Sequence, residues 1–380
     1  MKTEIITIGE EILIGQVVDT NSAFIGEKLN LAGIRVNRIT SVTDECEGIM
    51  QALHEANERA DLVLITGGLG PTKDDITKPV FCDYFSTRLV FNDRAFENIK
   101  KIFRNRNFEM NELNRRQAEV PENCTVIPNH EGTASGMWFE KDGTIFISMP
   151  GVPFEMETMI VREIIPRLKS RFQLPVIAQK TVNTQGAYEG LLAETLEEWE
   201  RGLAEQGISL AYLPSPGIIR LRLTATGTDS LALEQRIDNE IEKLEHIIPG
   251  KIFGFNDDTL HSVIGRLLTE QEKTLAVAES CTGGHIGHLV TSVPGSSGYF
   301  KGGIIAYSNE AKENLLGVST AKLGQFGAVS REVVEEMASG VRKMFDADYA
   351  IATSGIAGPS GGTDVKPVGL TWIAVASCNK

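Results

Sequence analysis

Three residues in the last third of the chain have the types needed for nucleophilic hydrolysis of an amide or ester: Ser280, Tyr307 and Lys312. A serine hydroxyl becomes a competent nucleophile when a neighbouring base takes its proton, and a neutral lysine amine can be that base. The apolar run Leu275-Ala276-Val277-Ala278 reads as a buried strand that stops at Glu279-Ser280-Cys281-Thr282-Gly283-Gly284. Ser280 therefore falls at a strand end, exposed to a ligand but rigidly held. A second apolar run, Gly303-Ile304-Ile305-Ala306-Tyr307, leads into Ser308-Asn309, which read as caps of a helix beginning Glu310-Ala311-Lys312. Lys312 then lies in a first helical turn, where the dipole and any burial disfavour an ammonium. Two other chemistries share this stretch. Cys281 is intrinsically the better nucleophile at neutral pH. His285 and His288 have the i, i+3 spacing of a helical metal pair, although no third His or Cys follows at ligand spacing.

A second centre lies near the other end. Leu62-Val63-Leu64-Ile65 reads as a fully buried strand and runs into Thr66-Gly67-Gly68-Leu69-Gly70-Pro71-Thr72-Lys73-Asp74-Asp75. Gly67, Gly68 and Gly70 permit positive φ and close approach of backbone to a ligand. Thr66 and these glycines are candidate substrate-binding residues, because ligands of open α/β sheets bind at the carboxyl edge. Asp74 and Asp75 can hold a divalent cation against a phosphate or cap the following helix. A third glycine-rich loop, Thr353-Ser354-Gly355-Ile356-Ala357-Gly358-Pro359, follows the buried run Tyr349–Ala352 and also belongs at a sheet edge.

The elements that position these loops alternate. Strands at 4–8, 34–39 and 62–65 are separated by helices at 23–32 and 44–60, a β-α-β-α-β order that predicts a parallel sheet covered on both faces. Ile164-Ile165-Pro166 is expected to end a helix, and the grammar then changes. Strands at 176–184, 208–213 and 218–226, with helices at 187–201 and 230–246, form a small two-layered α+β block. Pro249-Gly250 and Asn256-Asp257-Asp258 read as a connector, and Thr259 as the cap of a helix over 260–272. The last strand is expected over 370–376. The predicted domains are 1–170, 171–254 and 255–380, the first and last α/β.

Composition excludes some classes. A net charge of −14 over 380 residues argues against nucleic acid as a partner. Five scattered cysteines without a CxxC pair fit a reducing compartment and exclude a zinc knuckle. No signal-peptide pattern opens the sequence and no apolar run has the length of a membrane span, so the expected location is cytoplasmic, without membrane association.

The loop at 66–75, with Asn114-Arg115-Arg116-Gln117-Ala118, the stretch from Asn129 to Gly136 and Met149-Pro150-Gly151-Val152-Pro153-Phe154-Glu155-Met156, resembles the molybdopterin-binding fold family and, more closely, the N-terminal half of CinA, the competence- and damage-inducible family. Leu69 departs from the Thr more common in cofactor-synthesis relatives. Glu279–Gly284, Tyr307–Lys312 and the loop at 353–363 resemble the C-terminal domain of the same family, which also occurs alone as nicotinamide-mononucleotide deamidase. The resemblance implies a three-layer N-terminal domain that hydrolyses ADP-ribose with a divalent metal (magnesium, manganese or cobalt). In that reading Asp44 and Asp75 are the functional acids, while Glu155 is either a third carboxylate or a helix first-turn acid. It implies a KH-like middle domain, here without the GxxG clamp, and a homodimer. For the last domain it implies deamidation of nicotinamide mononucleotide without a cofactor. Ser280 is then the nucleophile and Lys312 the base. Tyr307 either orients Lys312 or relays a proton. Backbone N–H groups near Thr282, Gly283 and Gly284 hold the oxyanion, and Ser354, Gly355 and Gly358 face ribose or phosphate. The family continues past the position of Lys380 with an Arg-bearing loop and a closing helix, so the deamidase domain is expected to be truncated here. The alternative reading is a non-catalytic pterin- or nucleotide-binding scaffold linked to competence.

Overall fold

A computed structural model describes the chain from Met1 to Cys378 apart from Lys73, Asp74, Asn107, Phe108 and Ala187, with Asn105 and Arg106 described by backbone alone. The chain forms two compact units. One carries Met1–Lys180, the other Leu244–Lys380, and the residues between are divided among them.

In the first unit β1 (Thr3–Ile8), β2 (Val36–Val42) and β3 (Leu62–Thr66) are joined by the helices Thr20–Leu31 and Cys46–Arg59. The second strand starts later than the sequence pattern suggests. The first helix closes through Gly33 at φ +85° and a 2.8 Å bond from Ile34 N–H to the Leu29 carbonyl, which consumes residues 33–35. A two-stranded sheet pairs β4 (Leu89–Phe91) with β5 (Glu119–Pro121). β6 (Thr125–Ile127), β7 (Gly136–Lys141) and β8 (Thr144–Met149) complete the main sheet, in the order β2-β1-β3-β8-β7-β6.

The expected parallel sheet is therefore mixed. β2, β1, β3 and β8 run parallel, whereas β7 and β6 are antiparallel additions at one edge. The cause is a two-residue hairpin at Asp142-Gly143, with φ +52° and +88°, the positive pair that a tight hairpin of twisted strands requires. Alternation sorts the strand residues between two cores. Ile6, Ile8, Val63, Ile65 and Phe146 pack with Ile49, Leu53, Phe81 and Tyr84. Ile5, Leu62, Leu64 and Ile147 pack on the other face with Ile25, Leu29, Met156 and Ile160. Each such side chain contributes about 1.5–3 kcal/mol by leaving water. The helix at 153–171 does not stop at Pro166. It widens into a π-helical turn over Ile160–Ile164 and continues over Ile165–Arg171, an irregularity that absorbs the missing proline N–H.

The middle segment has β9 (Val176–Gln185), a helix over Glu189–Glu205, β10 (Ile208–Ser215), β11 (Ile218–Gly227) and a helix over Ser230–Ile247. The stretch expected to be a connector contains a further strand, β12 (Ile252–Phe255), which pairs antiparallel with β9. The sheet order is β10-β11-β9-β12.

The last segment of the second unit holds β13 (Leu275–Glu279), β14 (Phe300–Ile305), β15 (Tyr349–Gly355) and β16 (Thr371–Ser377), ordered β14-β13-β15-β16. β13 runs parallel to both neighbours and β16 is antiparallel to β15. One face is a layer of alanines, Ala276, Ala278, Ala350, Ala352, Ala374 and Ala376, packed against Val333, Val334, Met337 and Val341 of the Arg331–Met344 helix. The fold is thus mixed α/β, with a six-stranded sheet in the N-terminal part, a four-stranded α+β middle and a four-stranded C-terminal α/β part. Among the described residues, no helix is long and apolar enough to cross a membrane.

Candidate functional site

β13 lies between β14 and β15, so the chain leaves it first to one side and then crosses to the other. Glu279 is level with Ile305 on β14 and with Thr353 on β15. Ser280, Ala306 and Ser354 therefore emerge together at the carboxyl edge, at the point where the strand order reverses, which is where open α/β sheets bind ligands. The turn after β13 is tied down by bonds from Ser280 N–H to the Thr353 carbonyl (3.1 Å) and from Gly283 N–H to the Ser280 carbonyl (3.2 Å).

Lys312 reaches this edge from the Asn309–Leu316 helix, whose cap Ser308 accepts the Ala311 N–H at 3.1 Å. Its side chain is only 1% exposed, and Ser280 8%. Lys312 Nζ lies 3.0 Å from Ser280 Oγ, 2.8 Å from the Ala306 carbonyl and 3.1 Å from the Tyr307 carbonyl. This trio of partners is informative. An ammonium would donate to all three, whereas a neutral amine has two protons and one lone pair. The two carbonyls can only accept. In the neutral form they take the two protons, and the lone pair is left facing a hydroxyl that can donate. Burial disfavours the charge and pulls Lys312 below the usual lysine range.

Glu279 supplies an interaction that sequence reasoning missed. Its carboxylate is 1% exposed and accepts N–H bonds from Gly284 (3.0 Å), Ile286 (3.0 Å) and Gly287 (2.8 Å). Burial by itself would raise this carboxyl; the N–H groups of Gly287, Ile286 and Gly284 with the Thr282 hydroxyl outweigh it and hold the group below the usual range. The consequence corrects the expected oxyanion donors. Gly284 N–H is taken by Glu279 and Gly283 N–H by Ser280, so the helix start is filled by the protein's own anion. Among the described residues, the donors near Ser280 that the turn does not consume are the N–H groups of Cys281 and Thr282. The signal available in the sequence was an acid at a strand end five residues before a glycine-initiated helix.

The remaining C-terminal candidates divide. Tyr307 contributes its carbonyl to Lys312, but its side chain is 75% exposed, so the phenol is not part of the buried Ser280–Lys312 pair. Thr282 is joined to Thr353 hydroxyl-to-hydroxyl at 2.8 Å. Ser354 is buried and donates to the Ala328 carbonyl at 2.8 Å, which places it as a brace of its loop. Gly355 is packed closely: a Cβ there would lie 3.0 Å from Cys281 Sγ. Gly358 has φ +81° and lies farther along the same loop, against Val368.

The N-terminal unit repeats this topology, with β1 between β2 and β3. A cavity of about 350 Å³ opens at that edge, lined by Asp44, Gly67, Gly68, Gly70, Asp75, Gln117 and Glu155 among others. Gly67 and Gly68 have φ +115° and +62°, and a Cβ on them would come within 2.1 Å of the Ile8 carbonyl oxygen and of Thr77 Oγ1. Thr66 donates to the Pro150 carbonyl at 2.9 Å and accepts from Asn21, which also donates to the Gly151 carbonyl at 2.8 Å. Asp75 folds back on the loop. It accepts from Gly70 N–H at 2.7 Å, from Thr72 N–H at 2.9 Å and from the Thr72 hydroxyl. Asp44 accepts the Glu10 N–H at 3.0 Å. Asp74 lies outside the described residues.

Among the described residues no group of three or more His, Cys, Asp or Glu side chains is gathered as a metal cage. Asp44 and Asp75 nevertheless line one cavity. Two carboxylates suit a hard divalent ion of the magnesium type, which keeps several waters and is completed by substrate phosphates. The donor set fits an open site of that kind and not a closed one.

Comparison with known proteins matches three successive stretches of the chain. Residues 4–170 match a family model described as "Probable molybdopterin binding domain", residues 179–254 the "Damage-inducible protein CinA KH domain", and residues 257–380 the "CinA C-terminal domain". The chain is 47% identical over 377 residues to a CinA-like protein of Cytophaga hutchinsonii, covering 99% of this chain and 90% of that one. It is 48% identical over 379 residues to a CinA-like protein of Flavobacterium psychrophilum, with the same coverage of 99% and 90%. With all three domains matched in order and such relatives aligned along nearly their whole length, the chain belongs to the CinA family.

Proposed function

We propose that this protein is a two-site cytoplasmic hydrolase of pyridine-nucleotide breakdown products, acting as a homodimer. Its C-terminal site deamidates nicotinamide mononucleotide to nicotinate mononucleotide and ammonia, without a cofactor. The observation that carries this reading is the buried Lys312 amine 3.0 Å from Ser280 Oγ, with its other two contacts on carbonyls. Lys312 takes the Ser280 proton as Oγ attacks the carboxamide carbon. The Cys281 and Thr282 N–H groups stabilise the oxyanion. Lys312 then passes the proton to the departing ammonia. A water, deprotonated by the same amine, cleaves the acyl-enzyme and restores Ser280. Tyr307 acts through its carbonyl, which helps to hold Lys312 in place.

The test is ammonia release from nicotinamide mononucleotide by the full chain, Ser280→Ala and Lys312→Met. Removal of either group is expected to lower kcat by about 10³-fold or more. Parental rates in Ser280→Ala would refute the nucleophile.

At the N-terminal site the cavity beside Gly67–Gly70 supports hydrolysis of the pyrophosphate of ADP-ribose. Asp44 and Asp75 would hold a divalent ion (magnesium, manganese or cobalt), which neutralises phosphate charge when bound. The glycine loop lets the substrate approach the backbone closely, and Asn21 ties together the two loops that flank the cavity floor. Phosphate-monoester release from ADP-ribose that requires divalent metal and is lost in Asp75→Ala is the expected result. Tight binding of either nucleotide without turnover would favour a non-catalytic, competence-linked scaffold instead.

A further inference from the structure

We propose that Glu155 is the carboxylate that activates water in the N-terminal cavity, and that the buried Asn129 is its positioning residue. The inference rests on the reading of that cavity as a pyrophosphate-cleaving site. Glu155 stands in the first turn of the Pro153–Met159 helix and lines the cavity with Gly67–Gly70 and Asp75. Its Oε2 accepts a 2.7 Å bond from Asn129 Nδ2.

Asn129 is itself fixed. It is 1% exposed, donates a second bond to the Ala134 carbonyl at 2.9 Å, and accepts from Glu131 N–H at 3.1 Å and Gly132 N–H at 2.9 Å. With two N–H groups aimed at its oxygen, its amide can be oriented only one way, with Nδ2 toward the carboxylate. The loop also presses on Glu155 directly: a Cβ at Gly132 would lie 2.0 Å from the carboxyl carbon. This is a carboxylate gripped through one oxygen. Its other oxygen, Oε1, has no partner among the described residues.

The other carboxylates of the cavity stand differently: Asp44 and Asp75 are the pair assigned to the ion, and each also accepts bonds from backbone N–H groups. Asp75 spends both oxygens on Gly70 and Thr72. Asp44 accepts from Glu10. Glu11 is exposed on a single helical turn, with its carboxyl against Gly9. No His, Lys or Cys lines the cavity among the described residues, and Glu155 combines a place on its wall with one oxygen fixed by Asn129 and the other outside any bond within the described protein, the arrangement that suits a proton acceptor. In the step assigned to it, water gives a proton to Oε1 while its oxygen bonds to one phosphorus. The bridging P–O bond breaks and its electron pair leaves with the second phosphate. Glu155 returns the proton to that departing phosphate oxygen, and two phosphate monoesters result from one water.

The experiment measures kcat and KM for ADP-ribose cleavage by the full chain with magnesium, and calorimetric ADP-ribose binding by the same variants. Glu155→Gln is expected to lower kcat about a hundredfold or more with KM and binding held within about threefold. In Glu155→Ala, added formate should restore part of kcat, which a structural role would not allow. Asn129→Ser, which keeps the carboxylate but loosens it, should lower kcat about tenfold at unchanged KM. If the parent cleaves ADP-ribose and Glu155→Gln stays within about threefold, the base is overturned and the pyrophosphatase stands. Should Glu155→Gln not fold, full activity in a folded Glu155→Ala or Asn129→Ser overturns the proposal equally. A parent that yields no phosphate monoester with any divalent metal refutes the reading of the cavity, and the role of Glu155 with it.

Discussion

Replacing Glu279 by Gln removes one negative charge and almost no volume, so its effect follows from hydrogen bonding alone. The carboxylate accepts three N–H groups: those of Gly284 and Ile286 on Oε2 and that of Gly287 on Oε1. Glutamine has one carbonyl oxygen. Placed at Oε2 it keeps two of the bonds, now neutral, and turns its NH2 toward Gly287 N–H, donor against donor. A bond to a charged group is worth about 1.5–3 kcal/mol, and a buried donor left without a partner costs about 1–3 kcal/mol, two overlapping losses. Weakening the other two bonds and losing charge at a helix start add to this. The local penalty is roughly 2–4 kcal/mol, which speeds opening-limited amide exchange about 30- to 1000-fold. Hydrogen exchange of the segment 280–291 at neutral pH is the assay. The effect also has a pH signature. Because the folded-state carboxyl titrates below its ordinary value of 4.5, its stabilisation is complete above that pH and fades as pH falls through the lower folded value. An exchange increase below about threefold at neutral pH would refute the view that Glu279 holds this turn.

Lys78 offers a test in the other unit. Buried, with its amine on the carbonyls of Gln117 (3.0 Å) and Glu119 (2.9 Å), it is pulled down to about 8. Between about pH 8 and its unfolded value of 10.5 the unfolded chain binds the extra proton, so stability rises with pH. Urea unfolding of the first unit from pH 7 to 11 should show the parent gaining on the order of 3 kcal/mol relative to Lys78→Met; a flat difference would contradict it. Gly67→Ala should destabilise the first unit by at least ~2 kcal/mol and abolish ADP-ribose binding, because φ is +115° and the Cβ meets the Ile8 carbonyl oxygen at 2.1 Å. Gly190→Ala, in a helix with nothing within 4 Å of its Cβ, should be neutral or stabilise by up to ~1 kcal/mol; calorimetry of both variants checks the contrast.

Much of this was legible in the residues because the strands are uninterrupted apolar runs and their ends are marked by glycine. Ser308 capping the Lys312 helix and Thr259 capping the Leu260–Glu270 helix are local signals read directly from residue type, to which the structure adds Ser262 as the reciprocal partner of Thr259. What sequence reasoning missed depended on partners distant along the chain. The edge strands β6 and β7 do not follow from the β-α-β alternation, because they join the sheet by folding back through the Asp142-Gly143 hairpin instead of through a crossover helix. β12 is four residues long and becomes a strand only by pairing with β9, about 70 residues earlier in the chain. Tyr307 has a reactive side chain, yet the structure uses its backbone, which no residue type announces. The neutral-amine geometry of Lys312 likewise depends on two carbonyls whose direction is fixed only when β14 stops and the helix begins.

The alanine layer beneath the C-terminal site has a consequence of its own. Methyl groups have no rotamers to change, so on the sheet side of this contact no side chain can yield, and the spacing to the Arg331–Met344 helix is set by Val333, Val334, Met337 and Val341 resting on that flat face. The layer works as a gauge block. An added methylene at Ala352 would be passed on as displacement of the helix and of the segment before it, which holds the Ala328 carbonyl bound by Ser354. The mouth of the Ser280 loop is therefore calibrated from behind, and drift at these positions would be tolerated only as compensated pairs, one residue growing as the residue facing it shrinks.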